Sequence, residues 1–180
     1  RRRDFTFPTS VESDKKAYPT TGHSEEFIAF IEKELQPFIE NNYKTNTSKT
    51  IIGQSFGGLL ATEILFNKPT LFNKYIIVSP SLWWNNGSLQ NQNSKIFQDT
   101  FNQPTDIYIG VGKEGLTPTV IPRVMEVDAN VLAEKIKGSK SKSINVYFDY
   151  LPKENHATIL HQAVSNSFRL IYSPIPKAGH

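Results

Sequence analysis

A serine flanked by glycines is the residue group with the clearest chemistry in this chain. Residues 53–58 read Gly-Gln-Ser-Phe-Gly-Gly, between an apolar stretch over 50–52 and an apolar helical run over 59–66. At a turn from strand to helix, Gly-x-Ser-x-Gly lifts the serine hydroxyl clear of the sheet, where it can act as a nucleophile. We predict this role for Ser55, with glycine needed two residues before it and two after it, at Gly53 and Gly57, because helix and strand nearly touch. The alternative is a turn that only lets a helix pack closely.

A nucleophilic serine needs a base, and His156 is the best placed of the histidines. It lies in a loop between a predicted strand at 144–148 and a predicted helix at 157–171. Such loops gather at the carboxyl edge of a parallel sheet, where the turn at Ser55 also points, so His156 can accept the serine proton. The alternative is a histidine of a surface loop. The other histidines, less well placed by order or element, are His23, His161 and His180.

An acid that orients the base should follow the strand predicted at 106–111, and Glu114 fits this position. Its carboxylate would fix the tautomer of His156 and stabilise the imidazolium that forms. The chain order serine, acid, histidine is one that serine hydrolases use. Other readings are a solvated loop glutamate, or a Ser-His pair without a strong acid. The rival carboxylates are Glu126 and Asp128 on a predicted helix, Asp149, and Glu154.

The elements around these residues alternate between strand and helix. Strands are predicted at 50–52, 74–79, 106–111 and 144–148. One helix is predicted to begin at Ser24, and another is predicted to open at Pro122 with an apolar face of Val124, Val127, Val131 and Ile136. This alternation predicts an α/β fold with a parallel sheet covered on both faces, and a single domain over residues 1–180.

Composition narrows the classes of function. The chain has 180 residues and a net charge of +3, with the basic residues scattered apart from residues 1–3, so a nucleic-acid partner is not indicated. It has no cysteine, which excludes disulfides and thiolate catalysis. No apolar run has the length of a membrane span, and no signal-peptide pattern opens the chain. The composition is that of a soluble globular protein; compartment and oligomeric state are not readable.

Four segments resemble those of a known family and follow one another in the same order as in that family: residues 1–6, 53–58, 79–84 and 154–156. The third reads Ser-Pro-Ser-Leu-Trp-Trp and the fourth contains His156. On these segments the chain resembles the putative-esterase group of α/β hydrolases, which includes esterase D and the antigen 85 mycolyltransferases. Its closest branch looks like the siderophore esterases that open catecholate trilactones. The resemblance implies a three-layer α/β/α fold, and we expect the N-terminal strands of that fold to be missing from this chain.

The resemblance also implies a set of roles. Ser55, His156 and Glu114 map onto nucleophile, base and acid of an esterase that needs no metal or organic cofactor. The backbone N–H of Phe56 would supply one donor of the oxyanion hole, and the second would come from an upstream loop. The substrate, a small-molecule ester, would contact Trp83, Trp84, Arg3 and Gln54. Equally open are a core position for one of the tryptophans and an ion pair of Arg3 with Asp4 or another carboxylate.

Rival functions stay open at this point. One is a feruloyl or acetyl esterase, or an acyltransferase, of the same family. Another is a hydrolase-like module that binds a ligand without turning it over.

Overall fold

Four parallel strands form the centre of the protein. The computed structural model describes residues 1–172. The strands are β1 (Thr50–Gln54), β2 (Lys74–Val78), β3 (Thr105–Gly112) and β4 (Ile144–Leu151). Their order in the sheet is β1-β2-β3-β4, and all three pairings are parallel. The predicted parallel sheet is confirmed, and all four predicted strands are present.

Helices connect the strands and close the chain. They are α1 (Glu12–Ala17), α2 (Ser24–Phe30), α3 (Gln36–Asn42), α4 (Phe56–Asn67), α5 (Trp84–Gly87, a single turn), α6 (Met125–Lys137) and α7 (Ile159–Ile171). A π-helical segment, Ile31–Leu35, joins α2 to α3, and short 3₁₀ turns lie at Ser88–Asn91 and Lys95–Phe97. Within the described residues, no helix is long and apolar enough to span a bilayer.

The two faces of the sheet bury different side chains, because successive residues of a strand point in opposite directions. On one face, Ile77 and Ile109 pack in a cluster that includes side chains of α4 and α6. On the other face, Ile76, Val78 and Tyr108 pack with Ile159 and Ala163 of α7. The result is the three-layer α/β/α arrangement that the sequence predicts.

The helix predicted to open at Pro122 is present and buries Ile136, but its start and the rest of its predicted buried face are wrong. An antiparallel bridge joins Leu116 to Val124, so the chain enters α6 only at Met125. Val127 and Val131 are exposed, and the buried residues are Met125, Asp128, Ala129, Leu132, Ala133 and Ile136. Two apolar stripes run along this helix at helical spacing, and only the neighbouring sheet decides which of them is covered.

Strand β1 is an edge strand of the sheet. In the part of the chain that the structure describes, it pairs with β2 and with no other strand. The side chain of Ile52 is 44% exposed, and an apolar groove runs beside the strand, with Phe27, Ile31 and Phe72 among its lining residues.

Helix α4 buries one carboxyl group, that of Glu63. Only 6% of this residue is exposed. Its Oε1 accepts a hydrogen bond from Oγ of Ser24 at 3.0 Å, and Oε2 has no partner among the described residues. Burial, which disfavours the charged form, raises the pKa of Glu63 to about 7.

The buried carboxyl predicts that stability falls as pH rises. Because the folded state holds the proton more tightly than the unfolded state, this contribution is complete below the ordinary pKa of 4.5 and is lost as pH approaches 7. The loss is about 3 kcal/mol of unfolding free energy. Glu63→Gln should remove this pH dependence, measured by urea unfolding at pH 5 and pH 8. Glu134→Gln, at an exposed position, is the control that should keep it. Equal pH slopes in wild type and Glu63→Gln would contradict the prediction.

Candidate active site

The turn that carries Ser55 joins β1 to α4 with almost no space between them. Ser55 has φ of 59° and ψ of −121°, a strained conformation for a residue with a side chain. A Cβ on Gly53 would lie 2.1 Å from the carbonyl oxygen of Gly57, and one on Gly58 would lie 2.9 Å from Cα of Pro80. Glycine is therefore required at these two positions, and the strain at Ser55 is held by the packing around it.

The prediction that close packing demands glycine at position 57 is wrong. A Cβ there would meet only Cε2 of Phe5, at 4.0 Å, which is an ordinary contact. The carbonyl of Gly57, rather than its missing side chain, makes the close approach to Gly53. The glycine that the helix needs for packing is the next one, Gly58.

Glu114 and His156 meet across the carboxyl ends of β3 and β4. Oε2 of Glu114 lies 2.6 Å from Nδ1 of His156. Because an ionised carboxylate only accepts hydrogen bonds, Nδ1 carries the hydrogen, and in the neutral ring Nε2 is left with a free lone pair. The Glu114 side chain is 4% exposed and that of His156 is 47% exposed. One end of the pair is thus buried while the ring stays open to a ligand.

Two further donors hold the other oxygen of the Glu114 carboxylate. The hydroxyl of Ser79 and the backbone N–H of Gly112 (3.3 Å) both donate to Oε1. Burial opposes ionisation of Glu114, but the hydrogen bonds from His156 and Ser79 outweigh it, so the pKa of this carboxyl is lowered. The hydrogen bond to Glu114 in turn raises the pKa of His156. The contact stabilises an imidazolium paired with a carboxylate.

Glu126, a rival acid in the sequence, supports the loop of Glu114 instead. Its Oε1 accepts the backbone N–H groups of Glu114 (2.8 Å) and Gly115 (3.1 Å). Asp128 is held by Arg123 at 2.7 Å, and Asp149 accepts from the hydroxyl of Tyr108 at 2.7 Å. Glu154 bonds through its backbone oxygen to the N–H of Lys113. Among the described carboxylates, only that of Glu114 reaches the ring of His156.

Ser55 and its neighbour Gln54 each make one polar side-chain contact at this sheet edge. Its Oγ is 3.3 Å from Oγ of Ser81, and Nε2 of Gln54 donates to the backbone oxygen of His156 at 2.6 Å. Within residues 1–172, no hydrogen bond joins Ser55 to His156. Catalytic hydrogen bonds often close only when a substrate binds. Gln54, predicted to bind substrate, here links the serine turn to the histidine loop.

Phe56 is the first residue of α4, so its N–H belongs to the first turn, whose donors have no partner within the helix. This is where one donor of an oxyanion hole would lie, beside Ser55. The side chain of Phe56 is buried against the aromatic group that includes Trp83.

The other side chains predicted to contact the substrate make contacts within the protein. Trp84 is fully buried and its Nε1 donates to the backbone oxygen of Phe7 at 2.8 Å, which makes it a core residue. Trp83 is 5% exposed and lines a small cavity. Arg3 pairs with Asp4 at 2.8 Å and Glu26 at 2.9 Å, in agreement with the structural alternative for this arginine.

The sequence analysis did not predict the roles of three residues of this site: Ser79, Ser81 and Glu126. Ser79 has φ of 43°, a conformation that few residues with side chains adopt, and it contacts the acid. The Ser-Pro-Ser sequence directly after β2, at the same sheet edge as the serine turn, was the available signal for the first two. Nothing in the sequence distinguishes Glu126 from a solvated glutamate in the first turn of a helix.

The sequence of this chain is similar to those of known esterases. The profile of the family described as "Putative esterase" matches residues 3–149. The chain is 32% identical to the ferri-bacillibactin esterase BesA of Bacillus subtilis, over 97% of this chain and 62% of that protein. It is 41% identical to a siderophore enterobactin esterase of Emericella nidulans over a shorter stretch, 38% of this chain and 23% of that protein.

Solved structures show the same similarity. The BES protein of Bacillus cereus superposes with a TM-score of 0.79 at 32% identity, over 93% of this chain and 62% of that one. An IroE-like serine hydrolase of Shewanella oneidensis superposes with a TM-score of 0.77 at 27% identity, over 94% and 56%. The chain therefore spans about 62% of the length of its Bacillus relatives. By its fold and its sequence, this chain belongs to the putative-esterase family of α/β hydrolases.

Proposed function

We propose that residues 1–180 are the major part of a single α/β-hydrolase domain and that this domain is a serine carboxylic-ester hydrolase. The observation that carries the proposal is the 2.6 Å contact between Glu114 and His156, at the same sheet edge as Ser55. An acid and a base already paired, beside a strained serine, are the parts that acyl transfer through a covalent intermediate requires.

In the proposed mechanism, Oγ of Ser55 attacks the carbonyl carbon of the ester while Nε2 of His156 takes the serine proton. The oxyanion accepts the N–H of Phe56. Collapse of the tetrahedral intermediate breaks the ester bond, and the alcohol leaves with the proton held by His156. Water then loses a proton to His156 and attacks the acyl-serine, which releases the carboxylic acid and restores Ser55. Glu114 holds the ring and balances its transient charge throughout.

Esters of the siderophore type are the substrates that we propose. Two relatives carry that substrate class in their names, the ferri-bacillibactin esterase and the enterobactin esterase. A trilactone siderophore compared with feruloyl and acetyl esters separates this class from the alternatives within the family, and transfer to an added alcohol would indicate an acyltransferase.

A fluorophosphonate probe tests the nucleophile directly. The probe should label the wild-type chain at Ser55, because it reacts only with serines that a neighbouring base activates. Labelling should be lost in Ser55→Ala and kept in Ser48→Ala, a control at an exposed serine. Mass spectrometry of the labelled peptide gives the site. Equal labelling of wild type and Ser55→Ala would rule the proposal out, and binding of esters without labelling would favour the ligand-binding module.

A further inference from the structure

A small cavity lies beside Trp83, a residue that packs against Phe56 of the candidate active site. Its volume is about 260 Å³, and its lining includes Val11, Asp14, Trp83, Asn86, Val120 and Ile121. The ring of Trp83 lies 5.6 Å from that of Phe56, which follows Ser55. Trp83 lies two residues after Ser81, and Oγ of Ser81 is 3.3 Å from Oγ of Ser55. The cavity is smaller than a pocket for a whole drug-sized ligand and fits one group of a substrate.

One carboxylate lines this largely apolar cavity. Asp14 is only 6% exposed. Its Oδ2 accepts the hydroxyl of Thr9 at 3.3 Å and the backbone N–H of Asn85 at 3.1 Å. Among the described residues, no donor reaches Oδ1 and no basic side chain pairs with Asp14. Arg123, the basic side chain packed against Gly87, is held by Asp128 instead.

The wall beside Asp14 is built from strained backbone. Asn85, Asn86 and Gly87 are all left-handed, with φ of 49°, 55° and 74°. The side-chain oxygen of Asn85 accepts hydrogen bonds from the N–H (2.9 Å) and the hydroxyl (3.1 Å) of Ser10, which tie this wall to the segment before α1. Consecutive left-handed residues persist only where surrounding contacts hold them, so the cavity wall has a fixed shape.

We propose that this cavity binds a cationic ammonium group, carried on a short apolar chain of the ester substrate, with Asp14 as the residue that selects the charge. A buried carboxylate with a free oxygen gains most from a partner that brings both a positive charge and a hydrogen bond. Val11, Val120 and Ile121 supply apolar surface for the chain that carries the ammonium, and the indole of Trp83 is the aromatic group that cations prefer. This inference rests on the proposed function and narrows the proposed substrates to siderophore-type esters that carry an ammonium group.

Binding of simple amines tests the cavity without any turnover. Hexylammonium should quench the emission of the wild-type protein, whose two tryptophans are Trp83 and Trp84, while hexanol and hexanoate should bind at least about tenfold more weakly. Asp14→Asn should abolish this preference, because it keeps the side-chain shape and an acceptor but removes the charge. Glu12→Gln is the matched control: it makes the same charge change on the same helix at an 84% exposed side chain, and the preference should remain.

Asp14 also accepts bonds from the protein, so a second variant guards against a fold defect. Val120→Lys places a positive charge at the rim, where the side chain is 79% exposed, and removes apolar surface, so it should weaken hexylammonium binding several-fold more than it weakens hexanol binding. Equal affinity of wild type for hexylammonium and hexanol would overturn the proposal, as would an unchanged preference in a folded Asp14→Asn protein or in Val120→Lys.

Turnover then separates this inference from the proposed function. The p-nitrophenyl esters of 6-aminohexanoate and hexanoate differ only in the terminal ammonium, and kcat/KM should favour the first in wild type and not in Asp14→Asn. Hydrolysis of both esters without preference would overturn the role of Asp14 and leave the esterase intact. Binding of hexylammonium without hydrolysis of either ester would uphold the cavity and contradict the proposed function.

Discussion

His156→Ala should lower kcat for ester hydrolysis by on the order of 10³- to 10⁴-fold, with the fold unchanged. The side chain is 47% exposed and no core packing depends on it, so its loss removes a base without a cavity. Steady-state hydrolysis of a p-nitrophenyl ester gives the rate, and far-ultraviolet circular dichroism reports the fold. A His156→Ala protein within tenfold of the wild-type rate would exclude His156 as the base.

Glu114→Gln completes this prediction, because it keeps the size of the acid and removes its charge. We expect a loss in kcat of about 10²- to 10⁴-fold. Since Glu114 raises the pKa of His156, and a base must be neutral to accept a proton, the acidic limb of the pH–rate profile should move to lower pH in the variant. Glu154→Gln, the same change two residues before His156, is the matched control and should leave rate and profile within about twofold of wild type. An unmoved acidic limb in Glu114→Gln would show that the 2.6 Å contact does not set the basicity of the ring.

Gly53→Ala should destabilise the protein by about 4 kcal/mol or more, the range that marks severe overpacking. The added Cβ would lie 2.1 Å from the carbonyl oxygen and 2.4 Å from the carbonyl carbon of Gly57. Both are backbone atoms of the first turn of α4, and no side-chain rotation can relieve the contact. Urea unfolding gives the loss of stability, and the yield of folded protein gives a second measure.

Gly57→Ala is the control from the same turn, and its effect should have the opposite sign. The new Cβ has an ordinary contact with Phe5 at 4.0 Å, and the position is helical, so alanine should stabilise by up to about 1 kcal/mol. If both variants changed stability equally, the close approach of β1 to α4 would be wrong. The pair also separates a glycine that the packing needs from one that only completes the motif.

Much of the fold could be predicted because its signals are local. The runs around Ile77 and Ile109 are short, apolar and bounded by polar residues, which is typical of strands buried on both faces. The alternation of such runs with helical patterns favours a parallel sheet. The face of α6 could not be predicted, because Val127 and Ala129 each lie on an apolar stripe and only the position of the sheet selects one.

The pairing of Glu114 with His156 could also be predicted in part from the sequence. Chain order leads to Glu114 and His156, since both follow strands whose carboxyl ends meet at one edge of the sheet. The contact of Glu126 could not be predicted, because it depends on the path of the loop after β3. The groups that Glu126 holds in this loop are backbone N–H groups, which leave no pattern in the residue types.

The identical order of the strands in the sheet and in the chain has a consequence for how the protein is made. Each strand pairs only with the strands that come directly before and after it in the described chain. During synthesis, β2 can therefore join β1, β3 can join β2, and β4 can join β3, because each of these partners has already been made. The loop of His156 follows β4, so the candidate base is made only after all four of these strands.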